Sequence, residues 1–287
     1  MHTDDLSTDP PTGPSATVAP DRPTYPNFAG KHAHDAFINP AEYLAYLRAR
    51  GRAPDLAPLD GVVLLYQQSI LRRIVESEPT ELHRGWVTGE FRLLKRTDSR
   101  VGVCGGFGIG APVVAIVIEE LIALGVTRFI ALGTAGTIQR QVAIGEVVIC
   151  DRAIRDEGVS HHYISPARYA RPSEELTNGL AGALKEAGRP FRVGGSWTID
   201  TPYRETAAEA RHYQREGILT VEMEAAAVFA VAEHRGVQAA AAFAISDSLA
   251  DLVWNPQFDS AETQDGLDAI FEAAVSALST KGRRVSS

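Results

Sequence analysis

Residues 101–112 read VGVCGGFGIGAP, and no other stretch limits the fold of this chain as sharply. A run of strand composition, Val101 to Cys104, passes through glycines at 105, 106, 108 and 110 directly into an apolar segment. Pro112 suits the first turn of a helix there and Gly125 suits its exit. A strand, a glycine turn and a helix with no linker between them form the building unit of α/β folds. The same glycines let the backbone approach a ligand closely, and the free N–H groups at the start of the helix suit an anion.

Other apolar runs of strand length follow the same rhythm: Val62 to Leu65, Phe129 to Leu132, Val147 to Cys150, and the alanine-rich Gln238 to Ile245. Between them lie stretches of helical composition, notably Pro112 to Leu124 and Val221 to His234. Strands alternating with helices predict an α/β domain with a largely parallel sheet buried on both faces. The domain is expected over 62–278, after a proline-rich flexible arm at 1–30 and a helical extension at 31–61 carrying PAEYLAYLRARG, with a flexible tail at 279–287.

Composition narrows the function. With 28 Lys+Arg against 36 Asp+Glu the formal charge is −8, and no basic run interleaved with aromatics marks a nucleic-acid partner. Apolar stretches break well before the roughly 20 residues of a membrane span. The two cysteines, Cys104 and Cys150, lie too far apart for a metal ribbon, so no metal is expected and a reducing cytoplasm suits the chain. A small-molecule partner remains.

The spacing Gly106, Gly108, Ala111 also fits the dinucleotide fingerprint G-x-G-x-x-A, but the next strand ends at Gly133 and Thr134 with no acid for a ribose hydroxyl. Instead a second glycine turn, Gly133 to Thr137, lies beside the first, and together they line one crevice at the carboxyl edge of the sheet. Two acidic sites face the same edge. Glu222 and Glu224 open an alanine-rich helix, where the macrodipole also accounts for acids, and Asp247 ends an apolar strand, where a capping role is equally open.

The strings GGFGIGAP, EELIALGVTRFIALGTAGTI, SWTIDTPYRET, VEMEAAA and AISD, in this order, resemble the nucleoside phosphorylase superfamily of purine nucleoside phosphorylases, uridine phosphorylases and nucleosidases. The resemblance implies a three-layer α/β/α sandwich around a central mixed, largely parallel sheet. It implies no cofactor, and a homo-oligomer, dimer or hexamer, with sites near a subunit interface. It places Glu224 on the ribose hydroxyls, with Met223 against the sugar and Glu222 alongside, and His32 or His34 as the histidine a neighbouring subunit lends. Asp247, following Ser246, would face purine N7 and deliver the proton to the leaving base. Tyr203 and Arg204 fall where the base is held. His161 and His162 read as a mobile loop over the crevice.

The pattern breaks at the phosphate. Thr134, Gly106 and Gly108 are kept, but Ala131 stands where phosphorolytic members carry an arginine, and Tyr66, Gln67, Gln68 and Ser69 replace a glycine-arginine turn. Arg72, Arg73 or Arg84 are the candidate replacements, Arg84 as the arginine lent across the interface. Losing bidentate guanidinium contacts to a dianion costs several kcal/mol, at roughly 1.5–3 kcal/mol per charged hydrogen bond. Sequence alone therefore inclines slightly toward a nucleosidase that uses water, although Gln67 or Gln68 stands where that branch places the glutamate that activates it. Phosphorolysis through a rebuilt site is the alternative, and a silent nucleoside-binding protein a third.

Overall fold

The computed structural model describes residues 25–85 and 87–279. Most of the proline-rich arm and all but the first residue of the tail lie outside the described residues.

The first α-helix of the described residues is α1 (Pro40–Arg48), which buries Leu44 and Leu47 and is capped by Asn39, whose Oδ1 accepts from the Ala41 N–H at 2.9 Å. The strands are β1 (Gly61–Leu65), β2 (Thr80–His83), β3 (Glu90–Leu94), β4 (Val101–Gly105), β5 (Arg128–Thr137), β6 (Val147–Asp156), β7 (Tyr169–Ala170), β8 (Phe191–Ile199), β9 (Thr220–Glu222), β10 (Gln238–Ser248) and β11 (Asn255–Pro256). The remaining helices are α2 (Gln68–Ser77), α3 (Ala111–Ala123), α4 (Ser160–Tyr163), α5 (Glu174–Glu186), α6 (Ala207–Arg215), α7 (Ala225–Arg235) and α8 (Ala261–Ser279).

Strands β4, β1, β5 and β10 lie side by side and parallel. Their alternate residues enter two apolar clusters. Val62, Leu64, Phe129, Ala131, Ala239, Ala241 and Phe243 pack with α3 and α7, whereas Val63, Leu65, Ile130, Leu132, Ala240, Ala242 and Ala244 pack with α2, α5 and α8. This is the period-2 consequence of a strand buried on both faces, and it explains why these strands read as unbroken apolar runs.

The α/β domain with a mixed sheet is as expected, and the sheet does not end at β10. Beyond β10 the sheet continues through antiparallel β6, then parallel β8 and β9, and β9 pairs back onto β5. Five strands thus form a closed circuit, β5-β10-β6-β8-β9. The physical cause is the length of β5, β6, β8 and β10, with twist accumulating over nine to eleven residues. Bulges between Cys150 and Arg152 and between Ile245 and Asp247 add the local bend.

Candidate active site

The carboxyl ends of β1, β4, β5 and β10 and the start of α7 converge at one edge. At the first glycine turn, Gly106, Gly108 and Gly110 have φ of +69°, +95° and +104°. A Cβ added at Gly106 or Gly108 would meet open space, so these two glycines serve the backbone conformation. Gly110 donates its N–H to Glu224 Oε1 at 2.5 Å. Part of the turn is therefore committed to fixing a carboxylate from a different element, and Met223 Cε lies 4.0 Å from the position of a Cβ on Gly110.

The two glutamates divide the roles that the sequence left open. Glu222 Oε1 accepts from Ser196 Oγ at 3.2 Å and Thr198 Oγ1 at 2.5 Å, and Oε2 accepts from the N–H groups of Glu224 at 2.8 Å and Ala225 at 2.7 Å. All four acceptor positions are filled and the residue is buried, so its expected place beside the ribose gives way to a scaffold role: it caps α7 and ties it to β8. Glu224 points away from its own helix toward Gly110. Burial, reinforced by Glu222, pushes its carboxyl up to about 8.

Asp247 owes its position to the bulge in β10, which sets it opposite Gly136. A Cβ on Gly136 would lie 2.9 Å from Asp247 Oδ2 and 2.7 Å from Leu249 Cδ1, so the close approach needs glycine. Oδ1 accepts from Ser246 Oγ at 2.8 Å and Oδ2 from Trp254 Nε1 at 3.0 Å. Burial raises this carboxyl above the ordinary range while both hydrogen bonds oppose the rise. A further carboxylate, Glu205, was not singled out from the sequence. Burial, then Asp247 and Glu209, push it up to about 7. Its place in TPYRET, the string carrying the base-binding positions, was the available signal.

At the end of β1, Tyr66 packs edge-on to Phe107 at 5.7 Å between ring centroids, and a Cβ on Gly133 would lie 2.8 Å from its ring. Gln67 Nε2 donates to Thr134 Oγ1 at 2.8 Å. The Tyr66 hydroxyl and Gln67 Oε1 are buried without a hydrogen-bond partner. Burial, Glu224 and Glu222 all hold the Tyr66 hydroxyl protonated. Ala131 belongs to the same apolar cluster as Tyr66 and Phe107, so this strand position faces packed core.

Other expected site residues lie apart. Tyr203 is 98% exposed in the turn Pro202–Arg204, so within this chain it neither walls the base nor joins the core. Arg204 instead borders a cavity of about 430 Å³ with Asp156, Ile199, Thr201, Thr206 and Glu209. Gln68 is exposed at the first position of α2, which leaves Gln67 as the glutamine at the crevice. Arg73 is held by Asp268 and Gln264 of α8, while Arg72 and Arg84 are exposed.

The histidines form a docking patch. Lys31 Nζ donates to His162 Nδ1 at 2.8 Å, and the Tyr25 hydroxyl lies 3.3 Å from His162 Nε2 with its ring edge-on to both His161 and His162. His161 Nε2 is 3.1 Å from the Arg155 carbonyl. The loop expected to be mobile is thus pinned by the segment that carries His32 and His34. His32 is half-buried in the turn Lys31–Ala33, and His34 is exposed beside the Phe28 ring.

The phosphorylase superfamily profile matches residues 69–279, and the chain belongs to that family. A guanosine phosphorylase of Halorubrum lacusprofundi is 34% identical over 142 residues, covering 50% of this chain and 59% of the relative. A uridine phosphorylase of Haemophilus influenzae is 32% identical over 146 residues, covering 46% and 58%. A DeoD-type purine nucleoside phosphorylase of Alkaliphilus metalliredigens is 33% identical over 146 residues, covering 50% and 63%. The chain spans about six-tenths of the length of these relatives.

Proposed function

We propose that this chain cleaves the N-glycosidic bond of a purine nucleoside with phosphate as the acceptor, releasing the base and ribose 1-phosphate. The observation that carries the reading is the pair of buried carboxyl groups, Glu224 and Asp247, at one sheet edge, both raised above the ordinary carboxylate range. Breaking the C1′–N bond leaves positive charge on the sugar and negative charge on the departing base. Glu224 accepts from the ribose hydroxyls, and those donors draw it toward the ionised form that favours a cationic sugar. Asp247, lifted toward neutrality by burial, gives its proton to the base. Such an acid at a base nitrogen favours purine over pyrimidine.

Phosphate is preferred because the relatives are named phosphorylases of guanosine, purine nucleosides and uridine. The open glycines 106 and 108 and the Thr134 hydroxyl offer donors for an anion, with Arg84 of a neighbouring copy as the candidate guanidinium. Water is the second reading, and one observation favours it: the Tyr66 hydroxyl and Gln67 Oε1 together ask for an oxygen that both accepts and donates, beside two carboxylates that repel a dianion. The same reading holds the protein to be a cytoplasmic homo-oligomer without a nucleic-acid partner. Among the described residues no helix is long and apolar enough to cross a membrane.

The test is base release from guanosine, inosine, adenosine and uridine, with and without phosphate, for the wild type and Asp247→Asn. Purine release that saturates with phosphate and yields ribose 1-phosphate, reduced at least about 100-fold in Asp247→Asn, is expected. Free ribose at a rate indifferent to phosphate transfers the assignment to hydrolysis. Uncompromised turnover by Asp247→Asn removes the acid role.

A further inference from the structure

The strand carrying Asp247 is followed by a turn that brings the chain back over it. Leu252 sits at φ +61°, a conformation that sterics disfavour for a bulky side chain, and its N–H donates to the Leu249 carbonyl at 2.8 Å. The chain then returns as β11, antiparallel to β10, with Asp247 opposite Pro256 and Ser248 opposite Asn255. This return sets Trp254 Nε1 3.0 Å from Asp247 Oδ2. The side chain stays 60% exposed, with Phe258 against it at 6.3 Å between ring centroids. A tryptophan serving the core buries its ring. This one is held out at the rim by a strained turn, with its only polar atom on the carboxyl of the proposed acid.

We infer that Trp254 is the positioning residue for Asp247, fixing the carboxyl's orientation and deciding which of its oxygens carries the proton. The inference rests on the acid role assigned to Asp247 above. An indole N–H only donates, so Oδ2 is kept as an acceptor. The proton of the acid form therefore resides on Oδ1, beside the Ser246 hydroxyl, which accepts as readily as it donates. When the Oδ1–H proton passes to the base nitrogen, its bonding pair stays on the carboxylate. Ser246 then donates to Oδ1 and Trp254 continues to donate to Oδ2. The groups facing this carboxyl are Ser246 and Trp254 on its own hairpin and Glu205 from the segment before α6, with Glu209 behind Glu205.

The test uses the full chain with Trp254→Phe, which keeps a ring and removes the donor. The kcat/KM of base release from guanosine is followed against pH, with Asp247→Asn and 7-methylguanosine as comparisons, because an N7-methylated base leaves without needing a proton. Loss of a donor to the ionised form moves the high-pH limb upward by about half to one pH unit. With guanosine kcat falls about tenfold and KM stays within about twofold, and 7-methylguanosine restores kcat. The tryptophan fluorescence difference between wild type and Trp254→Phe titrates at the midpoint of the kinetic limb. A Trp254→Phe profile that superimposes on the wild type, or a fluorescence difference that ignores pH, overturns the inference while a crippled Asp247→Asn leaves the acid role standing. An active Asp247→Asn overturns both.

Discussion

Glu224 should make the unliganded protein less stable than it need be, in a way that depends on pH. Its carboxyl titrates at about 8 when folded against 4.5 ordinarily, because burial and then Glu222 disfavour the charge. Between those two values the folded chain holds a proton that the unfolded chain has released, so stability falls as pH rises through the window and levels off above about 8. At roughly 1.4 kcal/mol per pH unit the full effect is about 4–5 kcal/mol, and relaxation around the charge leaves about 2–3 kcal/mol. Glutamine has the same shape, can still accept from Gly110 and never ionises. Glu224→Gln should therefore match the wild type near pH 5 and exceed it by about 2–3 kcal/mol at pH 8.5, a rise in Tm of about 5 °C or more. Turnover should meanwhile fall at least about 100-fold. Thermal melts of both proteins at pH 5, 7 and 8.5 decide the matter. A Glu224→Gln protein that melts no higher than the wild type at pH 8.5, or a gap that is the same at pH 5 and 8.5, refutes the argument.

Glu222 should behave oppositely. Glu222→Ala orphans the Ser196 and Thr198 hydroxyls and two helix N–H groups, and urea unfolding should show a loss of about 2–4 kcal/mol. Tyr66→Phe removes a buried hydroxyl without a hydrogen-bond partner, so the unfolding free energy measured in urea should hold or rise by up to about 1 kcal/mol. Base release without phosphate should nonetheless slow severalfold; an unchanged rate would detach Tyr66 from a water acceptor.

The parallel strands were legible because burial on both faces writes itself as unbroken apolar runs, and the glycine turn because only a strand-to-helix passage needs glycine at 106, 108 and 110. The positions of Glu224 and Asp247 at one edge followed from their places at element ends. What stayed hidden was pairing between distant segments. Nothing local in VEMEAAA says that Glu222 is taken up by Ser196 and Thr198 while Glu224 reaches Gly110. The β9-to-β5 pairing that closes the circuit rests on two residue pairs. Which way Tyr203 faces was not legible, because an aromatic in a turn carries no periodicity to show it. Trp254 and Glu205 were missed because each gains meaning only from a carboxyl several residues or a whole hairpin away.

The circuit of strands also has a weakest joint. It is β9, where Val221 pairs with Gly136 on one side and Trp197 on the other, and Glu222 and Glu224 follow at once. Pairing residues so distant in sequence costs loop-closure entropy, and here only two residue pairs on the β5 side offset it. Glu224 thus has no fixed position until the ring shuts. Opening that joint alone would release Glu222 and Glu224 while most of the sheet and its helices survive.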